Sequence, residues 1–374
     1  MSQHKIMIAS VLKPVKDTRV YYRFGLSLRE TNKYQINIIG FSSKKERDEK
    51  NISFYPIFTK KRNHVSRYFA GLKLIRQIIK VKPKIIILSA WELLPAGVIG
   101  KIFFGGKLIY DVQENHISNI QYNRSMPLWK KVFAKGMIGF FEALTKPFIS
   151  YFLLAEQCYV CELPSFSPYL VLENKFHGNP VDIIKPVRLN KDNVRFLISG
   201  TITEVYGIVD AIEWFKVIHQ AHPSFHLYII GHCPLPLYKE KIIRACEGIE
   251  DISLRLSEKA VPYSEIMEAY TQSDVILMPY HQLPSIKDKI PSKLYESLAL
   301  GKPYLISPNA KWQALTEKYN SGLSIDFKEL ENAPKNLESF LKGTYYLNHP
   351  GDEVLWKSDE GKFLELMEML TSAE

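Results

Sequence analysis

The 374 residues are 46% hydrophobic and 24% charged, proportions that exclude a disordered or fibrous chain and leave length for two buried cores. The net charge of +10 is unevenly spread: residues 1–180 hold 28 Lys and Arg against 12 Asp and Glu, the rest 21 against 27. The basic half calls for an acidic partner, such as a membrane with anionic lipids or a phosphorylated lipid carrier; no nucleic-acid module is visible, so nucleic acid is not expected.

Glu142 and Lys146 interrupt the longest apolar candidate, Met137 to Leu154, so no bilayer span is expected. The start, Met1 to Asp17, has a short apolar run without a small-residue cleavage site, and the expected location is cytoplasmic. Cys158 and Cys161 form one C-x-x-C pair with no second pair at zinc-site spacing; with Cys233 and Cys246 they read as reduced structural thiols. No two aspartates are separated by a single residue, and neither a metal nor a cofactor is expected.

In chain order, Lys5 to Leu12 predicts a strand, Lys13 to Asp17 a loop, and Thr18 to Glu30 a helix with Val20, Phe24, Leu26 and Leu28 on its apolar side. Asp17 suits a helix cap and Arg19 a surface charge, unless both serve a site. Strands are expected at Gln35 to Phe41 and Ile52 to Ile57. The stretch 64–84 predicts a basic amphipathic helix with Phe69, Leu72, Ile75 and Ile79 on one side, fit to cover a sheet or to lie on a membrane. Strands Ile85 to Ser89 and Lys107 to Tyr110 follow, the second leading into Asp111, Gln113, Glu114 and His116.

Residues 127–152 interleave Trp129, Phe133, Met137, Phe140, Phe141 and Phe148 with Lys130, Lys131, Lys135 and Lys146. That mixture suits a lipid headgroup layer, although the aromatics could equally fill a core. Tyr151 to Ala155 and Tyr169 to Leu172 predict strands, and breakers at Gly178, Pro180 and Pro186 mark a linker. Beyond it, 195–215 predicts a strand, a loop with Gly200 and a helix from Gly207; 225–234 gives a strand ending in a His232 turn, and Ser264 to Tyr270 a helix.

The most informative stretch is Ser273 to Ser307. Val275 to Pro279 is an apolar run, Pro291 opens a segment with Leu294 and Leu298 four apart, Gly301 ends it and Pro303 starts another strand. Ligands of such strand–loop–helix–strand units sit beyond the carboxyl ends of the strands. Lys287, Asp288 and Lys289 lie in the loop, Ser292 at the helix start, and Lys293 and Glu296 on one helix face. A helix start with several ammonium groups favours a diphosphate, and a carboxylate one turn in can accept from a ribose diol. The same residues also fit solvated surface charges. Helices at Lys311 to Lys318 and Pro334 to Leu341 and a final one within 352–370, apolar at Phe363, Leu364, Met367 and Leu370, complete the chain.

Asp288 and Glu296, eight apart, with PSKLYESLALGKP, resemble the signature of retaining GT-B glycosyltransferases, and LKPVKDTRVYYRFGLSLRE resembles the opening of a bacterial, family-4-like group that builds cell-surface polysaccharide. The resemblance implies a GT-B fold of two Rossmann-like doubly wound domains facing a central cleft. It implies an acceptor domain over 1–178, a nucleotide-sugar domain over 179–348, and a tail helix over 349–374 packing back on the first.

Carried over residue by residue, Glu296 would hold the donor ribose. Lys293, Ser292, Lys287, Lys289, Gly200, Thr201 and His232 would line the donor, Asp288 and His116 would serve catalysis, and Asp17, Arg19, Asp111, Gln113 and Glu114 would face the acceptor. Four places depart from the pattern: Asp288 stands for Glu, Gln113 for His, and Thr201 and Tyr206 for the Arg and Lys that reach the pyrophosphate. The implied activity is metal-independent hexosyl transfer, with retention, from a nucleotide diphosphate sugar to a lipid-linked or saccharide hydroxyl, at the inner face of an anionic cell membrane or free in the cytoplasm. A non-catalytic subunit of the same fold, or a nucleotide-sugar epimerase, are the alternatives.

Overall fold

The computed structural model describes residues 3–42, 46–58, 67, 69–122, 126–182 and 185–372. The chain divides into two units, 1–177 with 356–374, and 178–355.

Unit 1 contains a parallel sheet of β1 (His4–Pro14), β2 (Tyr34–Phe41), β3 (Ile52–Tyr55), β4 (Ile85–Leu88), β5 (Lys107–Val112), β6 (Tyr151–Leu154) and β7 (Tyr169–Val171), in the order β3-β2-β1-β4-β5-β6-β7. Its helices are α1 (Leu26–Glu30), α2 (Ala70–Val81), α3 (Leu94–Phe104), α4 (His116–Gln121), α5 (Leu128–Thr145) and α6 (Tyr159–Glu162). Helices on both faces leave a central strand no polar side, which is why β4 reads IIIL and is buried throughout. Along β1 the pleat sends Met7 and Ala9 into one core with Leu74, Ile78 and Leu94, and Ile6 and Ile8 into the other with Phe24 and Leu28.

Two local readings change. The helix after β1 opens as π-helical turns, Thr18–Gly25, before α1 continues it, and Arg19 and Arg23 are both buried there. The wider turn is invisible to a periodicity argument. The start of the amphipathic helix at 64–66 and 68 lies outside the described residues. In α2 the buried row is Ala70, Leu74 and Ile78, four apart, while Phe69, Leu72 and Ile79 are exposed. Of the expected apolar side only Ile75 packs against the core, partly buried, and the other three residues face outward. In the linker, residues 183–184 also lie outside the described residues.

Unit 2 contains the parallel strands β8 (Arg195–Thr201), β9 (His226–His232), β10 (Ile252–Ser257), β11 (Val275–Met278), β12 (Tyr304–Ile306) and β13 (Gly322–Ser324), ordered β10-β9-β8-β11-β12-β13. Its helices are α7 (Ile208–Ala221), α8 (Pro236–Ala245), α9 (Tyr263–Gln272), α10 (Ser292–Ala299), α11 (Ala310–Tyr319) and α12 (Ala333–Lys342). Phe196 of β8 meets Trp214 of α7 edge-on with ring centroids 5.9 Å apart, both fully buried. The last helix, α13 (Lys357–Ser372), belongs to unit 1, where Trp356, Phe363 and Met367 join the Phe24 core. The return falls at Trp356 rather than at 349. All four cysteines are free thiols.

Candidate functional site

In unit 2 the strand order reverses between β8 and β11, and doubly wound sheets bind ligands outside the carboxyl ends of the strands at that point. Lys293, in the first turn of α10, reaches across it: a Cβ built on Gly200 would lie 2.4 Å from the Lys293 Nζ. Gly200 has φ +101°, a conformation that L side chains rarely adopt, so the backbone favours glycine, and its missing side chain leaves the space that the ammonium occupies.

The loops after β8 and β11 are joined. Gly207, at φ +62°, approaches Pro279 so closely that a Cβ would lie 1.9 Å from its carbonyl oxygen. His281 N–H donates to the Val205 carbonyl at 3.0 Å. The His281 Nε2–H donates to Asp210 Oδ2 at 2.7 Å, and the Tyr206 and Tyr280 rings lie 4.9 Å apart. The start of α7 and the loop into α10 are thereby held together, and helix starts favour anions through their free N–H groups and dipole.

Glu296, about one turn into α10, is 7% exposed and accepts from the Tyr270 hydroxyl at 3.1 Å. Burial first, and the Glu296 charge second, push the Tyr270 phenol well above its ordinary value, so it stays a neutral donor. Burial does the same to Tyr280.

The loop carrying Lys287, Asp288 and Lys289 is fastened to the start of α11. Asn309 caps that helix and its Nδ2 donates to the Lys287 carbonyl at 2.8 Å, while Trp312 Nε1 donates to the Lys289 carbonyl at 2.7 Å. Lys311 Nζ lies 3.2 Å from Asp288 Oδ1 and also donates to the Asp288 carbonyl at 3.1 Å. Asp288 is thus half-exposed and already ion-paired. Ser292 is the first residue of α10, and the Lys287 side chain is exposed. Thr201 and His232 are register partners at the ends of β8 and β9; His232 Nδ1–H donates to the Ser257 carbonyl at 3.3 Å.

In unit 1, Asp17 caps the π-helical segment by accepting from the Arg19 and Val20 N–H groups. Arg19 and Asp111, read as acceptor-facing, are 2% and 0% exposed and bind each other, Nε to Oδ1 at 2.9 Å. Arg19 Nη1 also donates to the Leu172 carbonyl at 2.7 Å. Asp111 Oδ2 accepts further from Ser89 Oγ at 2.9 Å and Gln113 Nε2 at 2.8 Å. The pair ties the π-helical segment to β5, and no side chain this deeply enclosed meets a ligand without opening the core. Glu114 accepts from Asn119, and His116 is the half-buried first residue of α4.

Sequence reasoning missed Tyr270, His281 with Asp210, and the Asn309–Lys311–Trp312 fastening. Only Asn309 carries a local signal, as a helix cap.

Comparison with known proteins bears on unit 2 and on the fold. Residues 182–352 match the family described as Glycosyl transferases group 1. The match spans most of unit 2. No curated protein matches the chain. Among solved structures, a sucrose-phosphate synthase from Thermosynechococcus elongatus is 12% identical with a TM-score of 0.70, covering 100% of both chains. The Anabaena protein HepE in complex with UDP-glucose is 12% identical with a TM-score of 0.62, over 98% of this chain and 99% of that one. A putative UDP-N-acetylglucosamine 2-epimerase from Listeria monocytogenes is 13% identical with a TM-score of 0.57, over 98% of each. At such identities the likeness is one of fold, and the fold is GT-B, built on two Rossmann-like units.

Proposed function

We propose that the protein transfers a hexose, with retention and without a metal, from a nucleotide diphosphate sugar to a hydroxyl of a lipid-linked or saccharide acceptor in cell-envelope polysaccharide synthesis, at the inner face of the cell membrane. One observation carries the reading: the Lys293 ammonium lies against Gly200 at the switch point, in the first turn of α10, with the buried Glu296 carboxylate one turn further on. A pyrophosphate meets the ammonium and the helix start, and a ribose diol meets the carboxylate. The uridine nucleotides named with several structurally similar proteins support a nucleotide-sugar donor.

Within this reading the sugar–phosphate bond breaks as the acceptor oxygen bonds the anomeric carbon, and charge accumulates on the departing nucleoside diphosphate. Fixed cations aimed at that charge lower the barrier more than they tighten substrate binding. Lys293 takes that role, with Lys287 and Lys289 nearby in the chain.

A thermal-shift screen of nucleoside diphosphates and nucleotide sugars tests the donor site, since a ligand at about 100 times its Kd stabilises by roughly 2.7 kcal/mol. Donor cleavage with membrane lipid extract, in the presence of a chelator, then tests transfer. A ligand-dependent shift without cleavage under any acceptor would favour the binding-module alternative. That alternative draws support from Gln113, whose amide is bound to Asp111 where the family pattern has a histidine.

A further inference from the structure

Helix α5 is built inside out. Its inward side is short: Ile138 and Thr145 are buried, Phe141 stacks on Trp91 with centroids 6.0 Å apart, and Glu142 accepts from the Tyr110 hydroxyl at 3.1 Å. The opposite side presents Leu128, Trp129, Val132, Phe133, Phe140 and Leu144 to solvent, each more than half exposed; Trp129 and Phe133 are both 69% exposed. These positions recur at helical spacing, so they form one stripe along the axis.

A second exposed apolar pair stands on α3. At its end Ile102 and Phe103 are 60% and 74% exposed, and Lys101 Nζ donates to the Phe148 carbonyl at 2.6 Å, which joins that end to the segment just after α5. Exposed apolar surface of this extent marks an interaction site. Charge says with what. Residues 94–107 and 126–150 contain six lysines, at 101, 107, 130, 131, 135 and 146, and one acid, Glu142, which is turned inward. A second copy pairing through the same face would set lysines against lysines with no acid to relieve them. Anionic lipid meets both features, the apolar stripe entering the acyl boundary and the lysines remaining among the headgroups. Among the described residues no helix is long and apolar enough to cross a membrane, which leaves a surface that lies on one.

We infer that the outer face of α5, with the carboxyl end of α3, is a monotopic docking surface that inserts into an anionic bilayer. It rests on the proposed reading only in that the reading already brings the protein to a membrane. The surface itself is defined by unit 1 side chains and is assayed without any sugar donor, so either can fail alone.

The experiment is flotation of the full chain with phosphatidylcholine vesicles and with vesicles containing phosphatidylglycerol. Binding is expected on the anionic vesicles, by roughly fivefold in partition for each lysine near the surface. A measurable part should survive about 1 M salt, where charges are screened within about 3 Å but apolar insertion is not. Brominated acyl chains should quench tryptophan emission, and Trp129→Phe should bind yet lose most of the quench, because Trp214, Trp312 and Trp356 are buried and Trp91 is half-buried against Phe141 on the inward side of α5. Phe103→Glu combined with Phe133→Glu should weaken binding at least tenfold at an unchanged unfolding temperature. Absence of vesicle binding, or binding indifferent to that double change, overturns the inference. So does a concentration-dependent dimer, broken by the same substitutions, that floats with no vesicle.

Discussion

The Lys293 ammonium occupies the space that a methyl group on residue 200 would need, 2.4 Å from where its Cβ would stand. The two residues are far apart in sequence and make one feature. Gly200→Ala should therefore act twice, by straining a φ of +101° and by pushing the lysine aside. The strain is on the order of 1–3 kcal/mol. Lys293→Ala leaves the backbone alone and should lower kcat by about a hundredfold while changing KM much less. Full turnover in Lys293→Ala would falsify the role; a pure loss of affinity would make Lys293 a positioning residue.

Glu296 has two tasks that substitution can separate. Glu296→Ala leaves the buried Tyr270 hydroxyl without its acceptor, at a cost of about 1–3 kcal/mol in stability. It should also weaken nucleoside diphosphate binding by about tenfold or more, or roughly 1.4 kcal/mol. Tyr270→Phe removes only the protein partner. Calorimetric titration of both variants decides the matter: equal binding by wild type and Glu296→Ala removes the ribose assignment.

Arg19→Ala strands the Asp111 carboxylate in a dry core, and breaking such a pair costs about 3–5 kcal/mol. Replacing both by leucine should be far milder than either single change. Chemical denaturation of the three variants checks this. A stable Arg19→Ala protein that had lost only activity would return the residue to the acceptor.

Glu142 makes stability pH-dependent. Burial raises its pKa above the ordinary 4.5, and the Tyr110 hydroxyl offsets this only in part. The folded chain therefore binds that proton more tightly than the unfolded chain. Stability should fall as pH rises from about 4.5 through the raised value, then level off. Glu142→Gln keeps an acceptor for Tyr110 and removes the ionisation, so its unfolding temperature should exceed wild type near pH 8 and converge with it near pH 4.5. A constant gap across that range would assign the effect to packing.

Much of the framework was legible because its signals are local. The run from Val275 to Met278, the helix after Pro291 and the stop at Gly301 need only neighbouring residues to be read. Strands β10 and β13 escaped because they are edges, one with an exposed, broken alternation and one three residues long. The contacts that assemble the cradle, Lys293 with Gly200 and His281 with Asp210, join distant segments and leave no periodic trace. In α2 and α5 apolar residues lie on both sides, so sequence could not say which side was inward. Burial chose the small row Ala70, Leu74 and Ile78 in one, and left Trp129 and Phe133 in water in the other.

The last helix has a consequence for how the protein is made. Trp356 donates from its indole N–H to Ser27 at 2.9 Å, and Phe363 stacks on Phe24 with centroids 4.6 Å apart, so the first unit's core is closed by residues more than three hundred positions downstream. Domains usually fold as they leave the ribosome, amino-terminal first. Here unit 2 is contiguous and can finish early, whereas unit 1 must hold Phe24 and Leu28 uncovered until α13 has been synthesised. A chain truncated after residue 355 should join a protease-resistant second unit to a protease-sensitive first one, and deletion of α13 should strand newly made chains with chaperones.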